Sequence, residues 1–156
     1  MDTARLMDTV ERREAQRQRD RLRSAFTAAE YGLTDERFRL SCTRGTSPSW
    51  ATTGLAWATV TAWNPEGKMC SRPANQQRQA ALKTSVIQRG LPFLEGVNGS
   101  GEWQEDTLIV LGARLSDAVN WGQQTGQVAV LYGLGARVAL VWIKPLKAER
   151  FWAARL

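Results

Sequence analysis

At 156 residues, 43% of them hydrophobic, the chain has the size and apolar content of one folded domain rather than of a disordered segment. It contains no histidine, which excludes every Ser–His and Cys–His nucleophilic arrangement and leaves acid–base chemistry to Glu, Asp, Lys, Tyr or Cys. The net charge of +6 invites an anionic partner, a nucleotide or a nucleic acid.

Residues 1–21 read as a charged N-terminal helix or arm. Up to Arg23 the segment holds seven arginines against five acids, with Leu6, Met7, Val10 and Leu22 as a thin apolar stripe that must dock to stabilise a helix. Mixed charge of this kind suits either a solvated helix or an arm that tracks phosphates. No apolar stretch reaches the roughly 20 residues that span a membrane, and the charged N-terminus lacks a signal core, so a cytoplasmic location and no membrane partner are expected. Cys42 and Cys70 have no CxxC spacing, and no cofactor or metal site is expected.

Residues 22–143 read as a single α+β domain. Phe38 to Cys42 alternates like a half-buried strand, and the Ser/Thr/Gly/Pro-rich stretch from Thr43 to Gly54 is a loop. Leu55 to Trp63 reads as a central strand stopped by Asn64-Pro65-Glu66-Gly67. Ser71 caps a helix with Pro73 in its first turn that ends at Gly90. Leu91 to Val97 is extended, and Asn98-Gly99-Ser100-Gly101 predicts a hairpin turn.

Trp103 to Gly112 continues as a strand that is apolar on both faces at Leu108 to Leu111. Ser116 caps a short helix to Gln124, and Val128 to Tyr132 and Arg137 to Ile143 are the last strands. Residues 144–156 form a basic C-terminal tail, either a terminal helix or loose. From Ala58 onward the order is β-α-β-β-α-β, which predicts a mainly antiparallel sheet with helices on one face, the ferredoxin-like arrangement.

Six polar or aromatic residues stand at the edges of these elements: Asn64, Asn75, Arg78, Trp103, Glu105 and Gln127. Amides, carboxylates and guanidiniums there need partners, so they mark either a ligand site or a structural network. Asn64 suits turn chemistry or a ligand amide. Asn75 and Arg78 are helical neighbours, and Arg78 either clamps an anion or pairs with Glu105. Glu105 shares a strand face with Trp103 and Ile109 and is the weak catalytic candidate. Gln127 either closes a backbone gap or reads a ligand.

Four segments in order, Val60-Thr-Ala-Trp-Asn-Pro65, Asn75-Gln-Gln-Arg78 with Leu82, Gly101-Glu-Trp-Gln-Glu105, and Gly126-Gln127-Val-Ala-Val, resemble an uncharacterised bacterial family, domain of unknown function 3293. The resemblance covers roughly residues 22–141. Gln104-Glu105-Asp106 stands where that family has Arg-Glu-Pro, and Thr125 where it has an aromatic. The family carries no established activity to transfer. Three functional readings are therefore open: a non-enzymatic binding domain for an anionic partner, a small enzyme using Glu105 with Arg78 and Asn75, and a protein-interaction or regulatory factor.

Overall fold

Residues 2–156 are described by a computed structural model. The charged segment forms one helix, α1 (Thr3–Ala28), which runs without a break through position 21. Its polar surface keeps its first half off the domain: Leu6, Met7 and Val10 are exposed, and ion pairs such as Arg12–Asp8 (2.8 Å) lie along it. Its last turns dock. Phe26 meets Trp142 edge-on at 5.6 Å, Arg23 donates to Glu149 Oε1 at 2.7 Å, and the Tyr31 hydroxyl donates to the Phe26 carbonyl at 2.6 Å.

The strands β1 (Tyr31–Leu33), β2 (Glu36–Ser41), β3 (Ala56–Val60), β4 (Phe93–Ser100), β5 (Trp103–Leu111), β6 (Ala129–Leu134), β7 (Arg137–Trp142) and β8 (Lys147–Arg155) form one sheet, ordered β1-β2-β8-β7-β6-β3-β5-β4. Its seven ladders are all antiparallel. The helices α2 (Arg72–Arg89) and α3 (Leu115–Gln124) link β3 to β4 and β5 to β6. The fold is thus α+β, but the sheet curls into a nearly closed barrel and the ferredoxin-like order does not hold.

Closure falls to one arginine. The Arg37 guanidinium, on β2, reaches past β1 and donates to the carbonyls of Glu30 (2.9 Å), Gly32 (3.1 Å) and Gly99 (2.6 Å) and also to that of Val97 on β4. The backbone N–H of Gly99 donates to the Glu30 carbonyl at 2.8 Å. The two edges approach so closely that a Cβ at Gly96 would lie 2.5 Å from the Gly32 carbonyl oxygen, so only glycine fits there.

Alternation along the strands divides the core into two clusters. On the outer wall Ala58, Val60, Leu108, Val110 and Val130 pack against Leu82 and Val86 of α2 and Ala118 and Trp121 of α3. Inside the barrel Tyr31, Phe38, Leu40, Trp57, Leu131, Leu140 and Phe151 form the second cluster, with Phe26 and Ala29 of the α1 end against it. The helices therefore lie on different sides, α2 and α3 outside and α1 at the barrel mouth, not on one face.

Three local readings need correction. Residues 144–156 are not a tail: β8 lies between β2 and β7, and its Phe151 and Ala153 are core. Lys, Ala, Glu and Arg favour helix over strand locally, and tertiary pairing overrides them. The hairpin turn falls at Gly101-Glu102, because Ser100 pairs with Trp103 and Asn98 with Glu105. The cap of α3 is Arg114, not Ser116, with the Asp117 carboxylate accepting from the Arg114 backbone N–H at 2.9 Å.

Candidate functional site

The site begins where β3 ends. Thr61 and Thr107 extend the pairing of β3 with β5 by side chain, the Thr61 hydroxyl donating to the Asp106 carbonyl at 2.6 Å and that of Thr107 to the Val60 carbonyl at 2.8 Å. The chain then turns through Asn64, whose φ of 46° is left-handed and suits asparagine better than most residues. At the start of α2, capped by Ser71, Asn75 is 1% exposed.

The two amides lock each other, and their polarity follows from the backbone. The Asn64 N–H can only donate, so Asn75 meets it with Oδ1 at 3.0 Å. Asn75 Nδ2 then faces Asn64 Oδ1 at 2.9 Å and the Cys70 carbonyl at 3.3 Å, while the Cys70 N–H also donates to Asn64 Oδ1 at 2.9 Å. Both lone pairs of that oxygen are used. Asn64 Nδ2 is therefore fixed toward Glu105 Oε1, at 2.9 Å.

Glu105 points into the barrel mouth opposite Asn98 of β4. Burial pushes its carboxyl above the usual range, and the Asn64 hydrogen bond offsets part of that. Gln127 closes the far side: its Nε2 donates to the Trp63 carbonyl at 3.0 Å, and the adjoining Gly126 carbonyl accepts from the Glu66 N–H at 2.7 Å. The loop after α3 is thus clipped to the turn after β3.

Together these groups border a cavity of about 300 Å³ between the barrel mouth and the end of α1. Leu22, Phe26, Ala29, Tyr31, Ala129 and Leu131 give it apolar walls; Thr59, Asn64, Asn98, Glu105 and Gln127 give it a polar pole, with Trp103 at the rim. The Tyr31 hydroxyl is committed to the Phe26 carbonyl, and burial together with the nearby Glu105 charge raises its pKa far above the ordinary range. Two polar atoms in this lining, Thr59 Oγ1 and Asn98 Oδ1, are buried without a hydrogen-bond partner.

Of the six residues read from the sequence, Asn64, Trp103, Glu105 and Gln127 line the cavity, and Asn75 stands behind Asn64 as its support. Arg78 does not belong. It is exposed on α2, beside Gln123, Gln124 and Thr125 in a separate shallow groove, and among the described residues neither it nor Glu105 has an ion-pair partner.

The face that carries Asn75 continues at the fourth residue rather than the third. Gln79, not Arg78, faces inward, its Oε1 accepting from the Ala62 N–H at 2.8 Å. The expected Arg78–Glu105 pair is replaced by Asn64–Glu105. Thr59 and Asn98 were missed because one lay inside an apolar run and the other in an Asn-Gly pair that mimics a turn. Among the described residues no cluster of three or more Cys, Asp or Glu gathers a metal ion's ligands, and no helix is long and apolar enough to cross a membrane.

No curated protein and no solved structure matches the chain. The segment from the end of β3 to the start of β6, which contains all six residues, is where a known family reappears, over a shorter span than the motifs suggested. Residues 60–130 match the family model described as protein of unknown function (DUF3293), in line with the resemblance carried by the motifs.

Proposed function

We propose that the chain is a small-molecule-binding domain whose ligand occupies the barrel-mouth cavity, apolar body against Phe26, Ala129 and Leu131 and hydrogen-bond-donating head against Glu105, Asn98 and Thr59. The observation that carries this is the pair of partnerless buried atoms, Thr59 Oγ1 and Asn98 Oδ1, both in the lining of one cavity. A stranded polar atom costs about 1–3 kcal/mol, which a ligand that meets it returns. At about 300 Å³ the cavity suits a small molecule. An ammonium or amide head suits the polar pole, because Asn64 Nδ2 and Gln127 Nε2 are already spent on Glu105 and the Trp63 carbonyl.

A matched series of short-chain alkylamine, alkylamide and alkanoate tests this by thermal shift. The amine and amide should raise Tm, and the alkanoate should not. Thr59→Val should leave the unliganded Tm unchanged or higher while weakening the shift. An alkanoate that stabilises as well as the amine overturns the assignment.

A second reading gives Glu105 a general acid's role, favoured by its burial-raised pKa and by the single pinned oxygen that leaves Oε2 unbonded. Its anchors are Asn64 and Asn98, since Arg78 and Asn75 do not reach the cavity. The anionic partner suggested by the net charge fits this carboxyl-bearing cavity poorly and attaches to the outer surface instead. An interaction or regulatory role would draw on the exposed Leu6, Met7 and Val10 of α1.

A further inference from the structure

The outer wall of β6, β7 and β8 beyond the part packed under α2 and α3 carries charge of one sign. A groove there is lined by Cys42, Tyr132, Leu134, Arg137, Arg150 and Trp152 over a floor of Gly133 and Ala139, without an acidic residue. Arg137 and Trp152 are direct partners in the ladder of β7 with β8, and Ala139 with Arg150 is the next pair on that face. The guanidinium of Arg137 lies 5.3 Å from the Trp152 ring, and that of Arg44, from the loop after β2, lies 5.3 Å from the same ring.

We infer that this groove binds single-stranded nucleic acid through its phosphodiester backbone, on Arg44, Arg137 and Arg150, with Trp152 as the plate that holds two of the guanidiniums. A guanidinium stacked on an indole keeps its edge N–H groups free for phosphate oxygens, and being held in advance it loses less freedom on binding.

Charge complementarity selects the groove over α1. Along α1 the arginines are interleaved with acids, and Arg12, Arg17 and Arg21 engage them, as in Arg12–Asp8 at 2.8 Å and Arg17–Glu14 at 3.5 Å. Arg44, Arg137 and Arg150 are all exposed and, among the described residues, have no carboxylate within 4.0 Å. Geometry selects a single strand over a duplex. Three neighbouring strands span about 10 Å, enough to follow one backbone and not two. The small side chain of Ala139 leaves the sheet surface open to a chain laid across it.

Fluorescence anisotropy with a labelled homopyrimidine oligonucleotide, and with the same strand in duplex, at stepped salt concentrations tests the inference. Single-strand affinity should fall linearly with the logarithm of salt. The triple variant Arg44→Gln/Arg137→Gln/Arg150→Gln should weaken binding and flatten that slope by about 2, three phosphate contacts at about 0.7 each. The α1 variant Arg12→Gln/Arg13→Gln should change neither quantity. Because all three groove arginines are exposed, the triple variant keeps its melting temperature; Arg44→Gln alone, on a loop, gives a second reading of the slope.

Equal affinity for the duplex, no binding to the single strand at low salt, or an unchanged slope in the triple variant overturns the inference. The barrel-mouth ligand tests are independent of it, since no groove residue lines that cavity.

Discussion

Truncating Asn75 is the sharpest test of the amide lock. Its side chain makes three hydrogen bonds, from the Asn64 N–H (3.0 Å), to Asn64 Oδ1 (2.9 Å) and to the Cys70 carbonyl (3.3 Å), at 1% exposure. Asn75→Ala strands the buried Asn64 N–H, whereas Asn64 Oδ1 keeps the Cys70 N–H and the half-buried Cys70 carbonyl regains water. One stranded donor at about 2 kcal/mol and the net loss of two further bonds give an expected destabilisation of about 3–4 kcal/mol.

The near-isosteric Asn75→Asp tests polarity as well as presence. It sets an acceptor where Nδ2 stood, facing Asn64 Oδ1 and the Cys70 carbonyl. At neutral pH it should cost at least as much as alanine, and it should recover as acidification supplies a proton to donate. Urea denaturation at several pH values measures both variants. A loss under about 1 kcal/mol for alanine, or an aspartate variant that weakens further on acidification relative to wild type, would refute the lock.

Gly133→Ala places a Cβ about 2.0 Å from Trp57 Cε2 inside the barrel and should cost about 3 kcal/mol or prevent folding, as read by thermal denaturation. Glu105 is raised above the ordinary 4.5 by burial, so the native state holds a proton that the unfolded chain releases. Its contribution to stability is therefore complete below the ordinary carboxyl range and lost as pH rises through the raised value. The wild-type minus Glu105→Gln difference in urea midpoint should fall between acidic and neutral pH, and a rise would contradict the burial argument. Arg78→Met and Glu105→Gln should be additive within about 0.5 kcal/mol in stability measurements, as befits residues that share no partner; a larger coupling would place them in contact after all.

Much of the local structure is legible because its signals are local. Ser71 and Gly90 bound α2 as caps, and the apolar run of β5 marks a strand buried on both faces. The barrel is not legible, because its order rests on pairings such as Phe38 with Arg155 that join the two ends of the chain. No local pattern specifies such a partner. Arg37 shows the same limit: it lies just before the alternating stretch from Phe38 and carries no local signal, yet its bonds to the carbonyls of Glu30, Gly32, Val97 and Gly99 close the barrel. Asn98 failed for the opposite reason. Asn-Gly is a strong turn signal, but the ladder runs on to Ser100 with Gly99 at φ 86°, so the amide that reads as a turn instead faces Glu105.

The acid at position 105 is the point on which stability and the proposed binding role part. A carboxyl with raised pKa, bonded to one neutral amide inside an apolar mouth, weakens the fold at neutral pH, and glutamine would accept the same bond from Asn64 Nδ2 without that penalty. Thr59 adds to the conflict, since valine would fill its volume without stranding a hydroxyl. The backing is meanwhile rigid: two interlocked amides, each with its polarity dictated by a backbone group, hold the Asn64 donor on one carboxyl oxygen. Fixed support behind a group that is itself unfavourable to the fold is the arrangement expected of a binding site, where local stability yields to what the cavity must hold.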